Sequence, residues 1–277
     1  MTTTGSVLVT GASRGIGAAT VTALVQRGFH VWATVRSDAD AQRVASAHGP
    51  AVTVRRCDVT VAAEVEALGA EVVSQGRLVG LVDNAGTAVP APLEHLPLDQ
   101  LRHQLEVNLV GQLAVIQAAL PALRTTRGRI IVVGSIADRL ALPMLGAYHA
   151  SKFGLLGLSD TLRAELAPSG VRVVLVEPGA VATSIWETGR LLGEELLAEA
   201  PPEASRRYGA QIARIRADAE RSAARGLPPS AVAAVIARAL TARNPRPRYL
   251  VGRDAKVAAV VAKLPFRLRY RVTAARS

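Results

Sequence analysis

"SVLVTGASRGIGAAT", residues 6–20, runs from an apolar stretch through three glycines into a helical pattern. Val7, Leu8 and Val9 read as a strand buried on both faces. Gly11, Gly15 and Gly17 then fall where a backbone must turn sharply and come close to a pyrophosphate. The charge of that group would face free N–H groups at the start of the next helix. Such a glycine spacing arises by chance in roughly one chain in six of this composition, so the flanking strand and helix give the motif its weight.

The same alternation continues outward. Strand-like runs fall at 6–11, 30–35, 51–58, 78–86, 129–135, 171–179 and 248–252, rich in Val, Ile and Leu. Helical patterns lie between them, at 15–27, 38–48, 61–75, 98–124, 146–167 and 229–242. Strand and helix in alternation imply right-handed crossovers: an α/β fold with a doubly wound, mostly seven-stranded parallel sheet and helices on both faces. Residues 1–252 read as one domain, with no linker and no internal repeat. Residues 181–228 interrupt the alternation with a helical stretch broken at Pro201-Pro202. Leaving the carboxyl end of a strand, that insertion is placed to act as a lid over a ligand. Residues 253–277 form a basic C-terminal extension.

Of 277 residues, 49% are hydrophobic and only nine are aromatic, so Ala, Val and Leu must fill the core. No unbroken apolar run approaches the roughly 18 residues of a membrane span. The start, "MTTTGSVLVTG", shows no basic leader ahead of an apolar segment, and the one cysteine, Cys57, can form no internal disulfide. Both point to a cytoplasmic chain. The five histidines show no zinc-type spacing, and no metal is expected. A formal charge of +11 raises nucleic acid or an anionic membrane as partners. The arginines are scattered, however, and aromatics for base stacking are few, so phosphorylated ligands are expected and nucleic acid is not. In "KLPFRLRYRVTAAR", 263–276, bases alternate with Phe266, Leu268 and Tyr270. Contact with a membrane surface is one reading of that segment; a solvated or partner-packed tail is the favoured one.

The second strand bears on cofactor choice. A chain selecting NAD usually ends this strand with an acid that grips the ribose hydroxyls. "HVWATVRSD", 30–38, offers Val35 and then Arg36, with Arg14 inside the glycine loop, while Asp38 lies beyond the strand. Two guanidiniums pair with a 2′-phosphate at about 1.5–3 kcal/mol per charged hydrogen bond, which predicts NADP(H).

The chemical end is marked by a lysine. Of 33 basic residues only Lys152, Lys256 and Lys263 are lysines, and Lys152 stands four after Tyr148 in "AYHASKFG". Helical spacing puts both side chains on one face. A tyrosine exchanges a proton with a carbonyl oxygen only if its conjugate base is accessible. An adjacent ammonium stabilises the phenolate, and lysine's slender stem also reaches ribose hydroxyls where arginine's fork would not fit. Ser135, at the end of "RIIVVGS", is placed to hold the substrate oxygen. His149 is given no role.

With these residues in place, the chain resembles the short-chain dehydrogenase/reductase family over roughly residues 4–252. The resemblance implies a Rossmann-type domain and NADP(H). It implies cofactor contacts from "TGASRGIG" (Gly11, Ser13, Arg14, Gly15, Ile16, Gly17) and from Arg36. Further contacts are implied from "CDVT" (Asp58, Val59), from "DNAG" (Asn84, Ala85, Gly86) and from "EPGAVAT" (Pro178, Gly179, Val181, Thr183). Tyr148 and Lys152 would touch the cofactor as well. "EVNLVG" places Asn108 as a fourth catalytic residue beside Ser135, Tyr148 and Lys152, kinking a helix and holding a water. "WATVR" and "SIADRLALPMLGAYHASK" are most similar to NADP-dependent hydroxysteroid and retinol dehydrogenases. On that likeness Leu140, Leu142, Met144 and Trp186 would line an apolar substrate pocket. The family also implies pairing into homodimers or homotetramers through the helices around 101–120 and 153–166. The expected activity is interconversion of a bulky apolar ketone or aldehyde with its alcohol. Alternatives are a ketoreductase acting on acyl or polyketide β-ketothioesters, and a non-catalytic NADP sensor, which would lack the Tyr or the Lys.

Overall fold

The computed structural model describes residues 5–274. Seven parallel strands form one sheet: β1 (Ser6–Val9), β2 (His30–Val35), β3 (Val52–Arg56), β4 (Leu78–Asp83), β5 (Arg129–Val133), β6 (Arg172–Pro178) and β7 (Arg248–Val251), in the order β3-β2-β1-β4-β5-β6-β7. The order reverses between β1 and β4. Neighbouring loops diverge there and leave a crevice at the carboxyl ends of the strands.

The Val/Ile/Leu runs have a period of two. Val7, Val9, Ile131, Val133, Val174 and Val176 pack into one layer, with α1 (Gly15–Val25) and α9 (Pro229–Thr241). Leu8, Ile130, Val132, Val173 and Leu175 pack into the other, with α3 (Ala62–Ser74), α5 (Gly111–Thr126) and α6 (Gly146–Leu166). Both faces of the sheet are therefore apolar, as parallel strands under helices require.

Several elements stop short of their apolar patterns because side chains take over the backbone groups. β4 ends at Asp83 because the N–H groups of Asn84 and Ala85 donate to Thr10 Oγ1, at 2.8 and 3.0 Å. β5 ends at Val133, and Ser135 then caps a short helical turn by accepting from the Ala137 N–H. The stretch read as one helix over 98–124 is α4 (Leu98–Leu105), a wide π turn over Glu106–Val110, and α5.

The long insertion is two helices, α7 (Ile185–Glu199) and α8 (Pro202–Arg225), broken at Pro201. α8 buries only Ala204 among its described residues. After β7 come α10 (Arg253–Val261) and α11 (Phe266–Ala274). The remaining helix, α2 (Asp38–His48), starts with Asp38 and is capped by Ser37.

Candidate active site

The glycine turn after β1 is a tight cradle. Gly11 and Gly15 have φ of +62° and +57°. A Cβ on Gly17 would lie 2.1 Å from the Gly11 carbonyl oxygen, and one on Gly11 would lie 3.0 Å from Ala85 Cα. Bare backbone is therefore required at both positions. Asn84 closes the cradle by donating from Nδ2 to the carbonyls of Thr10 and Gly11. Helix α1 starts from an extended Arg14 with no side-chain cap, so its first N–H groups face the crevice. Free N–H groups at a helix start beside bare backbone fit a pyrophosphate.

The rim of the cradle is basic. Arg36 stands exposed past β2 and faces Asp58. Burial pushes the Asp58 carboxyl up, but two bonds from Thr60 and the Arg36 charge outweigh it, and it ionises below the usual range. Arg43, which no motif in the sequence marks, donates to the Ser13 carbonyl at 2.9 Å. It lies one turn and more into α2, so only the docking of that helix reveals it. Val59 is buried, with its carbonyl against Gly111, and Gly86 lies against Asn108. Ile16 packs on the core layer beneath the loop. On the far side, past Pro178, the Gly179 N–H donates to Val251, Val181 bridges to Leu227, and Thr183 reaches the glycine turn at Gly15. The cofactor candidates thus gather around one crevice.

Tyr148 and Lys152 lie on α6, 8% and 5% exposed, with Lys152 Nζ 5.8 Å from the phenol ring centre. Lys152 Nζ donates to the Val133 carbonyl at 3.0 Å, which fixes the ammonium beneath the end of β5. Burial pulls its pKa down to about 8, against the pull of Asp138 and Asp83. Burial likewise raises the Tyr148 phenol above its ordinary value, opposed by the Ser135 hydroxyl beside it. An ammonium that lowers the phenol outright is thus not the state of the open crevice: desolvation dominates there. Asn108 sits in the π turn, accepts from the Thr87 N–H and donates to the Thr87 carbonyl and to Ser151 Oγ on α6. It ties the turn to the helix carrying Tyr148.

Behind Ser135 lies a charged cluster. Arg139 and Arg248 each make two hydrogen bonds to the fully buried Glu177, whose bonds outweigh burial and keep it ionised. Asp138 is buried beside it, its Oδ1 3.7 Å from Arg139 Nε and 3.9 Å from Arg248, and burial with the charge and hydrogen bonding of Glu177 pushes it up to about 8. Glu177 takes the hydrogen bonds of both arginines, and the Asp138 carboxyl, farther from them, holds its proton at neutral pH.

A cleft of about 1150 Å³ opens over Ser135 and Tyr148. Leu140, Leu142, Met144, Ile185 and Trp186 line it, as do Ile212 and Ile215 of α8. His149, given no role from the sequence, shapes this wall. It is buried; its Nδ1–H donates to the Ala137 carbonyl and its Nε2 accepts from the Leu142 N–H, both at 2.9 Å. One imidazole therefore clips both ends of the loop carrying Leu140 and Leu142. The loop's geometry, not its sequence, assigns this residue.

The sequence model of the short chain dehydrogenases matches residues 5–191. A 3-amino-tetrahydro-pyrrolizinone reductase of Xenorhabdus hominickii is 41% identical over 195 residues, covering 69% of this chain and 67% of its own. An NADPH-dependent 3-dehydrocapnine reductase of Ornithobacterium rhinotracheale is 33% identical over 252 residues, covering 88% and 87%. Human retinol dehydrogenase 5 is 36% identical over 265 residues, covering 91% and 81%. Among solved structures, a short chain dehydrogenase from Burkholderia cenocepacia in complex with NADP superposes with a TM-score of 0.76 at 27% identity. That alignment covers 97% of this chain and 96% of the other.

Proposed function

The chain belongs to the short-chain dehydrogenase family and is an oxidoreductase using NADP(H), and on that premise we propose that it interconverts a bulky apolar ketone with its alcohol at Tyr148. The observation carrying this reading is the placement of Ser135 and Tyr148 in the lining of a largely apolar cleft that Gly179 and Ala180, past the end of β6, also line. Bound NADP(H) supplies or accepts the hydride.

The protein's own groups handle the oxygen and its proton. Ser135 Oγ donates a hydrogen bond to the carbonyl oxygen and sets its distance from Tyr148. Tyr148 Oη gives its proton to that oxygen in reduction and takes it back in oxidation. Lys152 holds positive charge beneath the phenol, so charge arriving on the phenolate is matched by an ammonium already in place. Asn108 keeps α6 in register with the π turn. Arg14 and Arg36 would pair with the 2′-phosphate of NADP(H), and Gly11, Gly15 and Gly17 would admit its pyrophosphate. Leu140, Leu142, Met144 and Trp186 exclude water from the reacting carbon.

A second reading is favoured by the arginines that also line the cleft, Arg190, Arg214, Arg216, Arg221, Arg225 and Arg253, although Glu194 pairs with Arg190 and Arg216 and Asp218 with Arg221. They suit a carbonyl borne on an anionic carrier, as in an acyl or polyketide β-ketothioester. Pairing of two chains across α5 and α6 is supported by Val110, just before α5, and Phe153 of α6, which stand exposed. One buried cysteine, whose thiol burial pushes up to about 11, suits a reducing cytoplasm.

The test is loss of reduced-cofactor absorbance over a panel of ketones. Bulky lipophilic ketones are expected to turn over fastest with NADPH. Carrier-bound β-ketoesters in front would transfer the reading to the second class, and small polar ketones in front would remove both.

A further inference from the structure

Thirteen large apolar side chains stand exposed among the described residues, and six of them fall in α10, α11 and the turn between: Val257, Val260, Leu264, Phe266, Leu268 and Tyr270. Val260 and Phe266 are 66% and 70% exposed. α10 turns the usual pattern inside out. Ala255 and Ala259 pack against the body of the protein, and Val257 and Val260 lie on the opposite side of the helix. Small residues anchor the helix and the large ones face water. In α11, Phe266 and Tyr270 stack at 6.3 Å between ring centres, with Arg269 over Phe266.

The charge of this segment is one-sided. After Asp254 the last 23 residues hold two lysines, four arginines and no acid. Lys256, Lys263, Arg267 and Arg271 are exposed among the apolar side chains. We propose that α10 and α11 dock the enzyme on the surface of an anionic lipid bilayer. Two copies joined through this face would set base against base with nothing to offset them. A nucleic acid would take the charge and leave Phe266, Leu268 and Val260 in water. A lipid surface takes both, the bases at the headgroups and the apolar side chains at the acyl boundary. The docked face is continuous with the cleft, because Val257, Ala258 and Val261 also line it. On the reading of a lipophilic substrate, α10 would then pass substrate from lipid towards Tyr148.

The test needs no chemistry. The full chain is sedimented with vesicles of phosphatidylcholine alone and of phosphatidylcholine with phosphatidylglycerol in equal parts. Binding to the mixed vesicles is expected to be at least about tenfold tighter and to weaken as salt rises. Replacing Lys263, Arg267 and Arg271 by Gln should remove the preference for anionic lipid. Replacing Val260, Phe266 and Leu268 by Ser should remove binding to both, with an unchanged circular dichroism spectrum. These side chains lie outside the cleft, so turnover of a water-soluble ketone should stay at the wild-type rate. Three results would each overturn the proposal. One is no preference between the vesicles; another is a dimer, split by the Ser variant, that ignores lipid. The third is tighter binding to duplex DNA than to mixed vesicles. Failure of every ketone with vesicle binding intact would count against the activity and leave the docking surface standing.

Discussion

The two ends of the crevice are built in opposite ways. At the glycine turn, backbone meets backbone: Gly17 leaves no room for a methyl group, and Thr10 and Asn84 hold the loops of β1 and β4 together through five hydrogen bonds. At the insertion after β6, α8 buries one alanine among its described residues and lines the cleft with Ile212 and Ile215. A pyrophosphate has one shape and rewards a rigid cradle, whereas a pocket for apolar molecules can stay loose. Substitutions at the first end should therefore cost far more than substitutions at the second.

The largest effect is expected where proton transfer is lost. Tyr148→Phe should lower kcat by about 10²–10⁴-fold or more while NADPH still quenches protein fluorescence with the wild-type affinity. Retained turnover would detach the phenol from the reaction. Gly17→Ala tests the cradle. A Cβ 2.1 Å from a carbonyl oxygen forces backbone movement, so a stability loss of about 1–3 kcal/mol and a large drop in NADPH affinity are expected in a melting assay with and without cofactor. Arg36→Ala keeps the cradle and removes one charge, and calorimetry should show NADPH weakened by about tenfold to a hundredfold with NADH little changed.

His149 joins the rigid half to the loose half. His149→Ala removes both hydrogen bonds to the loop, at about 1 kcal/mol each, and should raise KM for a bulky ketone with kcat nearly kept. Burial lowers its pKa below 6.5, opposed by its bond to Ala137. The neutral ring that accepts from Leu142 therefore persists at neutral pH. Its contribution to stability is full above the unfolded value and is lost as pH falls through the lowered folded value. KM should rise on that acid side in the wild type and stay flat in the variant. The smallest effect is expected on α8: Ile215→Ser should raise KM for a bulky ketone by about fivefold at most and leave a small ketone unaffected.

This contrast also separates what could be read from the sequence. The cradle, the sheet and the Tyr148–Lys152 pair depend on residues near one another in the chain, where glycine spacing, period-two burial and i, i+4 geometry are explicit. The strand ends were overrun because Thr10 and Ser135 capture backbone groups through side chains, which leaves no mark in hydrophobic periodicity. Arg43 and His149 act only once α2 and α6 have docked on loops far from their own helical neighbours. The Asp138–Glu177 pair arises from two segments nearly forty residues apart. Long-range placement of polar groups is what one strand or helix pattern does not encode.

Hydride transfer beside Tyr148 is the claim on which the rest depends, and following the label tests it most directly. NADPH carrying deuterium on the transferable face of C4 is incubated with the best ketone of the panel, and the alcohol is analysed by mass spectrometry. One deuterium on the carbinol carbon is expected with the wild type, and at least about a hundredfold less labelled alcohol in the same time with Tyr148→Phe. Unlabelled alcohol from the wild type, or labelled alcohol from the variant at the same rate, would contradict the account.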